Sequence, residues 1–387
     1  MIEVSRLLVS EKLENKDLRH RRREGSAPVV VWCTTRKCNL NCMHCYSGGN
    51  AATDGELSTD EAKKMLDELA DCGSPFMILS GGEPFLRPDV FELGSYAREI
   101  GLPVIVSSNG TVVTREIAAK AADAGFGYVG ISLDGLAETN NSFRGSGDAY
   151  NNALQGMRNL RDAGIKTGLR FTITRLNCHE LSQIMDLLVK EGFHRLCVYH
   201  LEYAGRGREL MNNDLSPDER RKAVENLFRK TVEINRHNHD LEVLTVGNYA
   251  DAAYIYMKVL KEDPQKAKAA YEHFLRNGGE GCGEKLAYID EKGNVFASQH
   301  MNTELGNIRE RSFNDIWNSD NEFLWKLRHR EKLFRGRCAE CRFLEICRGG
   351  SRARALAVHD DFGAPDPSCY LTEEEILKPV HEEALHD

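Results

Sequence analysis

From residue 28 the chain alternates short β-branched runs with helix-period stretches, and this alternation restricts the fold more than any other feature of the sequence. Strand-like runs occupy Pro28 to Trp32, Phe76 to Leu79, Val104 to Val106, Tyr128 to Leu133, Leu169 to Ile173 and Leu196 to Leu201. Between them lie helical patterns. One opens at a capping box, Ser58-x-x-Glu61, and carries Ala62, Met65, Leu66 and Leu69 on one face; others close on glycine, at Ala97 to Gly101, Ile117 to Gly125, Ala149 to Gly164 and Leu181 to Gly192. Six β/α units in succession predict an α/β fold with a parallel sheet and right-handed crossovers, either doubly wound and open or a partial barrel. In both, chemistry gathers at the carboxyl ends of the strands. The polar residues sit there: Ser80-Gly81-Gly82-Glu83-Pro84 follows the second strand, Ser107-Ser108-Asn109-Gly110 the third, and Ser132 with Asp134-Gly135 ends the fourth.

At 387 residues the chain exceeds a single compact domain. We divide it into an extension (1–27), the repeat (28–209), a charged helical bridge (210–280), a cysteine-bearing unit (281–376) and a tail (377–387) expected to fray. The cysteine-bearing unit begins with a hairpin, Leu286 to Asp290, turned by Lys292-Gly293-Asn294. A net charge of −8 argues against a nucleic-acid partner. No run is long and apolar enough for a membrane span, and the first 27 residues lack a secretory core, so a cytoplasmic, reducing compartment is expected.

Twelve cysteines are many for such a compartment, and seven fall into two tight groups. Cys38, Cys42 and Cys45, spaced C-x3-C-x2-C, follow the first strand. Cys338, Cys341 and Cys347 are joined by Cys369 further on. Cysteines two to four residues apart rarely pair as structural disulfides, so metal ligation is the expected use. Three thiols on a short loop leave a four-ligand metal incomplete, and His44 fits poorly as a fourth; the spacing favours an iron–sulfur cluster over zinc, with inert thiols the third reading. At the second group four thiols suffice for another cluster, with zinc the alternative. Cys33 reads as a core thiol; Cys72, Cys178, Cys197 and Cys282 are scattered.

C-x3-C-x2-C after the first strand together with Gly-Gly-Glu-Pro after the second resembles the radical S-adenosylmethionine (SAM) enzymes. That resemblance implies a partial (β/α)6 TIM barrel. It also implies a [4Fe-4S] cluster on Cys38, Cys42 and Cys45 whose open iron chelates SAM, and reductive cleavage to a 5′-deoxyadenosyl radical. Gly81 and Gly82 would let the backbone approach the SAM amino group, with a carbonyl or the Glu83 carboxylate accepting from it. Asn109 lies among the strand ends suited to SAM. Ser132 and Asp134 are ribose-side candidates, Arg144 a candidate for the SAM carboxylate, and His44 and Tyr46 candidates for the adenine. The second group resembles the SPASM or twitch extension of the same enzymes. Ser351 and Ser298 stand where that extension carries cysteines, so one auxiliary [4Fe-4S] cluster is expected, without Cys282.

Three further stretches, RHRRREGSAPVVVWCTTRKCNLNCMHCY, YHLEYAGRGREL with LEVLTVGNYADAAYIYMKVLKEDP, and GAPDPSCYLTEEE, resemble the tetrapyrrole-modifying branch. One group in that branch serves haem synthesis by removing two acetates from 12,18-didecarboxysiroheme; another removes propionates from the same precursor on the way to haem d1. The implied partners are an iron tetrapyrrole and an external one-electron reductant such as a flavodoxin or ferredoxin. Arg206, Arg208, Arg352 and Arg354 are candidate clamps for substrate carboxylates, and Tyr199, His200, Tyr203 and His300 candidates to approach the macrocycle. Peptide maturases share the SAM chemistry, but they usually carry a recognition domain before the barrel, where this chain has 27 residues. No catalytic proton donor is legible.

Overall fold

A computed structural model describes residues 1–10, 13, 27–49, 53–237 and 239–377; the basic run from His20 and the chain after Leu377 lie outside the described residues. Eleven strands form one sheet: β1 (Ile2–Glu3), β2 (Val29–Cys33), β3 (Met77–Ser80), β4 (Val104–Ser108), β5 (Tyr128–Ser132), β6 (Thr167–Ile173), β7 (Arg195–His200), β8 (Glu242–Val246), β9 (Leu286–Ile289), β10 (Asn294–Phe296) and β11 (Glu304–Asn307). Their order is β1-β8-β7-β6-β5-β4-β3-β2-β9-β10-β11. The six expected strands, β2 to β7, run parallel and side by side in chain order. Among the described residues no strand pairs with the outer side of β1 or β11, and the sheet forms a partial (β/α)6 barrel.

Each strand turns alternate residues to two surroundings. In β2, Val30 and Trp32 enter the large core beneath the helices, whereas Val31 and Cys33 meet Tyr288 in the lumen. The helix Thr59–Asp71 forms as its sequence dictates. Ser58 and Glu61 exchange both capping-box bonds, and Ala62, Met65, Leu66 and Leu69 are buried. Truncating Leu66 to Ala would cost about 2–5 kcal/mol.

Three features depart from the sequence reading. The stretch 210–280, read as a helical bridge, contains β8, a seventh parallel strand on β7. The first residues are integral: Ile2 and Glu3 pair with β8, and Val4 and Leu7 are fully buried or nearly so. Arg144 is not in a loop but ends a helix, Ala137–Arg144. The hairpin β9–β10 is where the sequence put it, and β9 pairs parallel with β2, so the cysteine-bearing unit continues the barrel sheet.

Candidate active site

The loop after β2 carries Cys38, Cys42 and Cys45, and three neighbouring segments grip it. Beneath it lies the turn after β3, where Gly82 N–H donates to Thr35 O (2.7 Å) and Glu83 N–H to Lys37 O (2.8 Å). A Cβ on Gly82 would stand 2.2 Å from the Lys37 oxygen, and one on Gly81, whose φ is +132°, 2.5 Å from that of Thr35. The two glycines therefore serve the approach of the cysteine loop itself. On a second side, Asn41 N–H donates to Arg144 O and Met43 N–H to Phe143 O. On a third, Arg206 donates from its backbone to Cys45 O and from Nε to Cys42 O.

The three thiols pack with Leu40 and Ala149. Asn109 Nδ2 lies 3.9 Å from Cys38 Sγ, Arg144 Nη1 3.5 Å from Cys42 Sγ, and Ser47 Oγ 3.4 Å from Cys45 Sγ. Burial, then Glu83, Cys42 and Cys45, push the Cys38 thiol up to about 11 against the Leu40 N–H. A thiol placed like Cys38 resists ionising until a cation compensates it, and binding iron supplies that compensation. Among the described residues no three Cys, His, Asp or Glu side chains converge on a single ion. A cubane takes each cysteine on a separate iron, which suits three thiols grouped on one loop. The donor set fits the cluster.

The carboxylates around the loop are committed to the protein. Glu83 is fully buried. It accepts from Ser108 Oγ (2.8 Å), Asn109 N–H (2.8 Å) and Phe85 N–H (3.2 Å), so it ties the ends of β3 and β4 together. Burial, partly opposed by those bonds, lifts it to about 7. Asp134, expected at a ribose, is also fully buried; Oδ1 accepts from Thr172 N–H (2.7 Å) and Oδ2 pairs with Arg144. Arg144 thus connects that carboxylate to Cys42. His44 Nε2 lies 3.4 Å from Asp134 Oδ2 and its ring meets Phe143 edge-on; burial lowers it to about 4 and keeps it neutral. Ser132 is half-buried at the end of β5. Tyr46 turns into the lumen, bonding Ser80 Oγ (2.8 Å) with its edge toward Tyr288 and His300.

Three of the four expected substrate clamps have other work. Arg206 holds the cysteine loop. Arg352 is fully buried and gives its donors to the carbonyls of Gly349, Gly350, Phe362 and Ala364. Arg354 is fully buried between Asp366 and Glu202. Only Arg208 is exposed. His200 is buried between Asp251 and Arg220, and Tyr203 donates to Asp214, so both are structural; Tyr199 and His300 remain half-buried. Sequence reasoning passed over Arg170, which lies inside the barrel. Its signal was a lone charge at a lumen-facing position in Thr167-Gly-Leu-Arg-Phe-Thr-Ile173.

The second cysteine group gathers although its members come from separate segments. Burial, then Cys369, Cys338 and Cys341, hold the Cys347 thiol well above its ordinary value. Cys282 lies instead against Glu280 and Ser298. All of these thiols are free. A cavity of about 790 Å³, bordered by Pro28, Phe313, Trp317 and Arg328, opens at the amino end of β2; Leu344, Glu345 and Arg348, the neighbours of Cys347, line its far side.

Residues 32–188 match the family model of the radical SAM superfamily, and residues 282–342 that of an iron–sulfur cluster-binding (SPASM) domain. The chain resembles a solved structure of SuiB from Streptococcus suis bound to S-adenosylmethionine, with a TM-score of 0.71 over 90% of this chain and 78% of that one, at 17% identity; this likeness concerns the fold alone. Among curated relatives, a Fe-coproporphyrin III synthase of Methanosarcina barkeri is 45% identical over 90% of this chain and 89% of its own. A pre-heme d1 synthase of Dinoroseobacter shibae is 38% identical over 89% and 86%. Identity at that level along nearly the whole length reaches past a shared scaffold: the chain belongs to the radical SAM enzymes, as a member with a SPASM-type iron–sulfur extension.

Proposed function

We propose that this enzyme removes two acetate side chains from 12,18-didecarboxysiroheme to give Fe-coproporphyrin III. The observation that carries this is the 45% identity, along nine-tenths of each chain, to a Fe-coproporphyrin III synthase. Cys38, Cys42 and Cys45 would hold the SAM-binding [4Fe-4S] cluster, and Cys338, Cys341, Cys347 and Cys369 one auxiliary [4Fe-4S] cluster. Together with SAM, the first supplies hydrogen-atom abstraction from an unactivated carbon. The protein's own part is placement. Gly81 and Gly82, Arg144 and Arg206 fix the cysteine loop, and Arg144 sets a permanent positive charge beside Cys42. Asn109 and Ser132, at neighbouring strand ends, are the groups we assign to SAM. Tyr46, Tyr199, Tyr288 and His300 wall the lumen and exclude water from the reacting carbon.

An external reductant, a flavodoxin or ferredoxin, would deliver the electron, in the cytoplasm; among the described residues no helix is long and apolar enough to cross a membrane. The test is mass spectrometry of 12,18-didecarboxysiroheme incubated anaerobically with the reduced enzyme and SAM. Two successive acetate losses support the reading. Propionate losses would assign the enzyme to haem d1 synthesis, as the pre-heme d1 synthase relative suggests, and an unchanged substrate would refute both.

A further inference from the structure

Arg170 leaves β6 into the lumen and reaches across β5. A Cβ on Gly130 would stand 2.3 Å from Arg170 Nε, so glycine there is what opens the path, and Nη1 ends 2.5 Å from Ser107 Oγ on β4. The guanidinium lies 6.0 Å from the centre of the Tyr199 ring, with Tyr128 and Tyr46 near enough to feel its charge. Nε is sealed from solvent and has no partner. Among the described residues no carboxylate comes within 4.0 Å of it, whereas Arg144, Arg195, Arg220, Arg330 and Arg354 each hold one. Arg352 also lacks a carboxylate but spends its donors on carbonyl oxygens. An arginine stays charged at any pH the protein meets, and an enclosed cation without a counter-ion is a standing expense of stability. A chain that keeps one, and clears a neighbouring side chain to fit it, has a use for an anion there.

The depth of the site selects the anion. Ser132 is the register partner of Arg170, but Ser107 and Gly130 pair one row nearer the amino ends of the strands. The guanidinium therefore points down the lumen, away from the loops that carry the three cysteines. We propose that Arg170 anchors one carboxylate side chain of the tetrapyrrole, in the lumen beside Ser107 and the Tyr199 ring, and so fixes which edge of the macrocycle faces the cysteine loop. This inference rests on the functional reading above. A guanidinium–carboxylate fork in an enclosed site contributes about 1.5–3 kcal/mol, which is roughly a 10- to 150-fold change in affinity.

The test uses the cluster-loaded, unreduced enzyme titrated with 12,18-didecarboxysiroheme and followed by the shift of its absorption band. Arg170→Gln should weaken binding roughly 10-fold or more, and Arg170→Lys, which keeps the charge without the fork, by less. SAM binding, read from its effect on the EPR signal of the reduced cluster, should be unchanged in both. The melting temperature of the ligand-free Gln variant should be unchanged or higher, since an unbalanced charge has been removed; a purely structural arginine would lower it. Unaltered tetrapyrrole affinity in Arg170→Gln would overturn the inference alone. Loss of the SAM effect with tetrapyrrole binding intact would reassign the carboxylate to SAM and overturn it too. Wild-type enzyme that binds no tetrapyrrole would bring down the functional reading and this inference together.

Discussion

Replacing Gly82 by alanine probes the packing that places the cysteine loop. The added methyl would meet Lys37 O at 2.2 Å, Lys37 C at 2.7 Å and Arg36 O at 2.8 Å, all backbone atoms that no rotamer change can move. To reach ordinary contact the loop must retreat by roughly 1 Å, and overpacking of this kind costs about 1–3 kcal/mol. Retreat also breaks the bonds from Gly82 N–H to Thr35 O and from Glu83 N–H to Lys37 O, and each buried amide left unpaired adds about 1–3 kcal/mol. Lifting the loop is the cheaper escape than unfolding the sheet beneath it. Because Cys38 follows Lys37 directly, lifting it spoils the first cluster and leaves the second alone. Anaerobic reconstitution should give about four irons per chain instead of about eight, with no 5′-deoxyadenosine formed on adding reductant and SAM. Gly147→Ala, where an added methyl meets nothing within 4 Å, is the control and should keep all its iron. A Gly82→Ala enzyme with full iron content and undiminished SAM cleavage would refute the reasoning.

Other substitutions separate roles that the sequence left joined. Arg144→Met strands the Asp134 carboxylate in a buried site and should cost about 3–5 kcal/mol in urea unfolding of the cluster-free protein. Adding Asp134→Asn should recover most of that, whereas an arginine serving SAM alone would leave cluster-free stability untouched. Glu83 titrates near 7 in the folded protein, while an unfolded glutamate ionises near 4.3; between these the folded state keeps a proton the unfolded state has released. Stability should therefore fall as pH rises from about 5 to 7, by up to ~1.4 kcal/mol per pH unit, and Glu83→Gln should lose that slope in melting curves. Identical slopes would contradict it. Gly205→Ala would press a methyl within 2.5 Å of the Cys45 and Tyr46 oxygens and should lower the iron bound by the first site, measured as iron per chain.

The β/α rhythm was legible because each strand between β2 and β7 is a short apolar run bounded by turn residues, and because Ser58 and Glu61 cap their helix through local bonds alone. β8 escaped because Glu242-Val-Leu-Thr-Val246 is brief and stands between two long helices, Pro217–Arg236 and Ala250–Glu262, whose period dominates the stretch. The helix Ala137–Arg144 escaped for another reason. Its sequence, Ala-Glu-Thr-Asn-Asn-Ser-Phe-Arg, is poor in helix formers, and it is held by docking its last residues on Asn41 and Met43. The cysteines could be read from spacing, since thiols in clusters have few other uses. Side-chain partners could not. Arg352 and Arg354 looked like substrate clamps, yet Arg352 is spent on carbonyls of its own segment, and Arg354, like Asp134 and Glu83, finds partners far along the chain. Arg170 carried the opposite lesson: its meaning lies in the partner it lacks, and only the assembled lumen displays that.

The central claim is that Cys38, Cys42 and Cys45 alone hold the cluster that activates SAM, apart from the second cysteine set. Its most direct test is the chain with all three changed to alanine, reconstituted anaerobically beside the wild type, with iron and 5′-deoxyadenosine measured in the same samples. The variant should keep about four irons, with an intact absorption from the second site, and form no 5′-deoxyadenosine. A variant that retained all its iron, or still cleaved SAM, would contradict it.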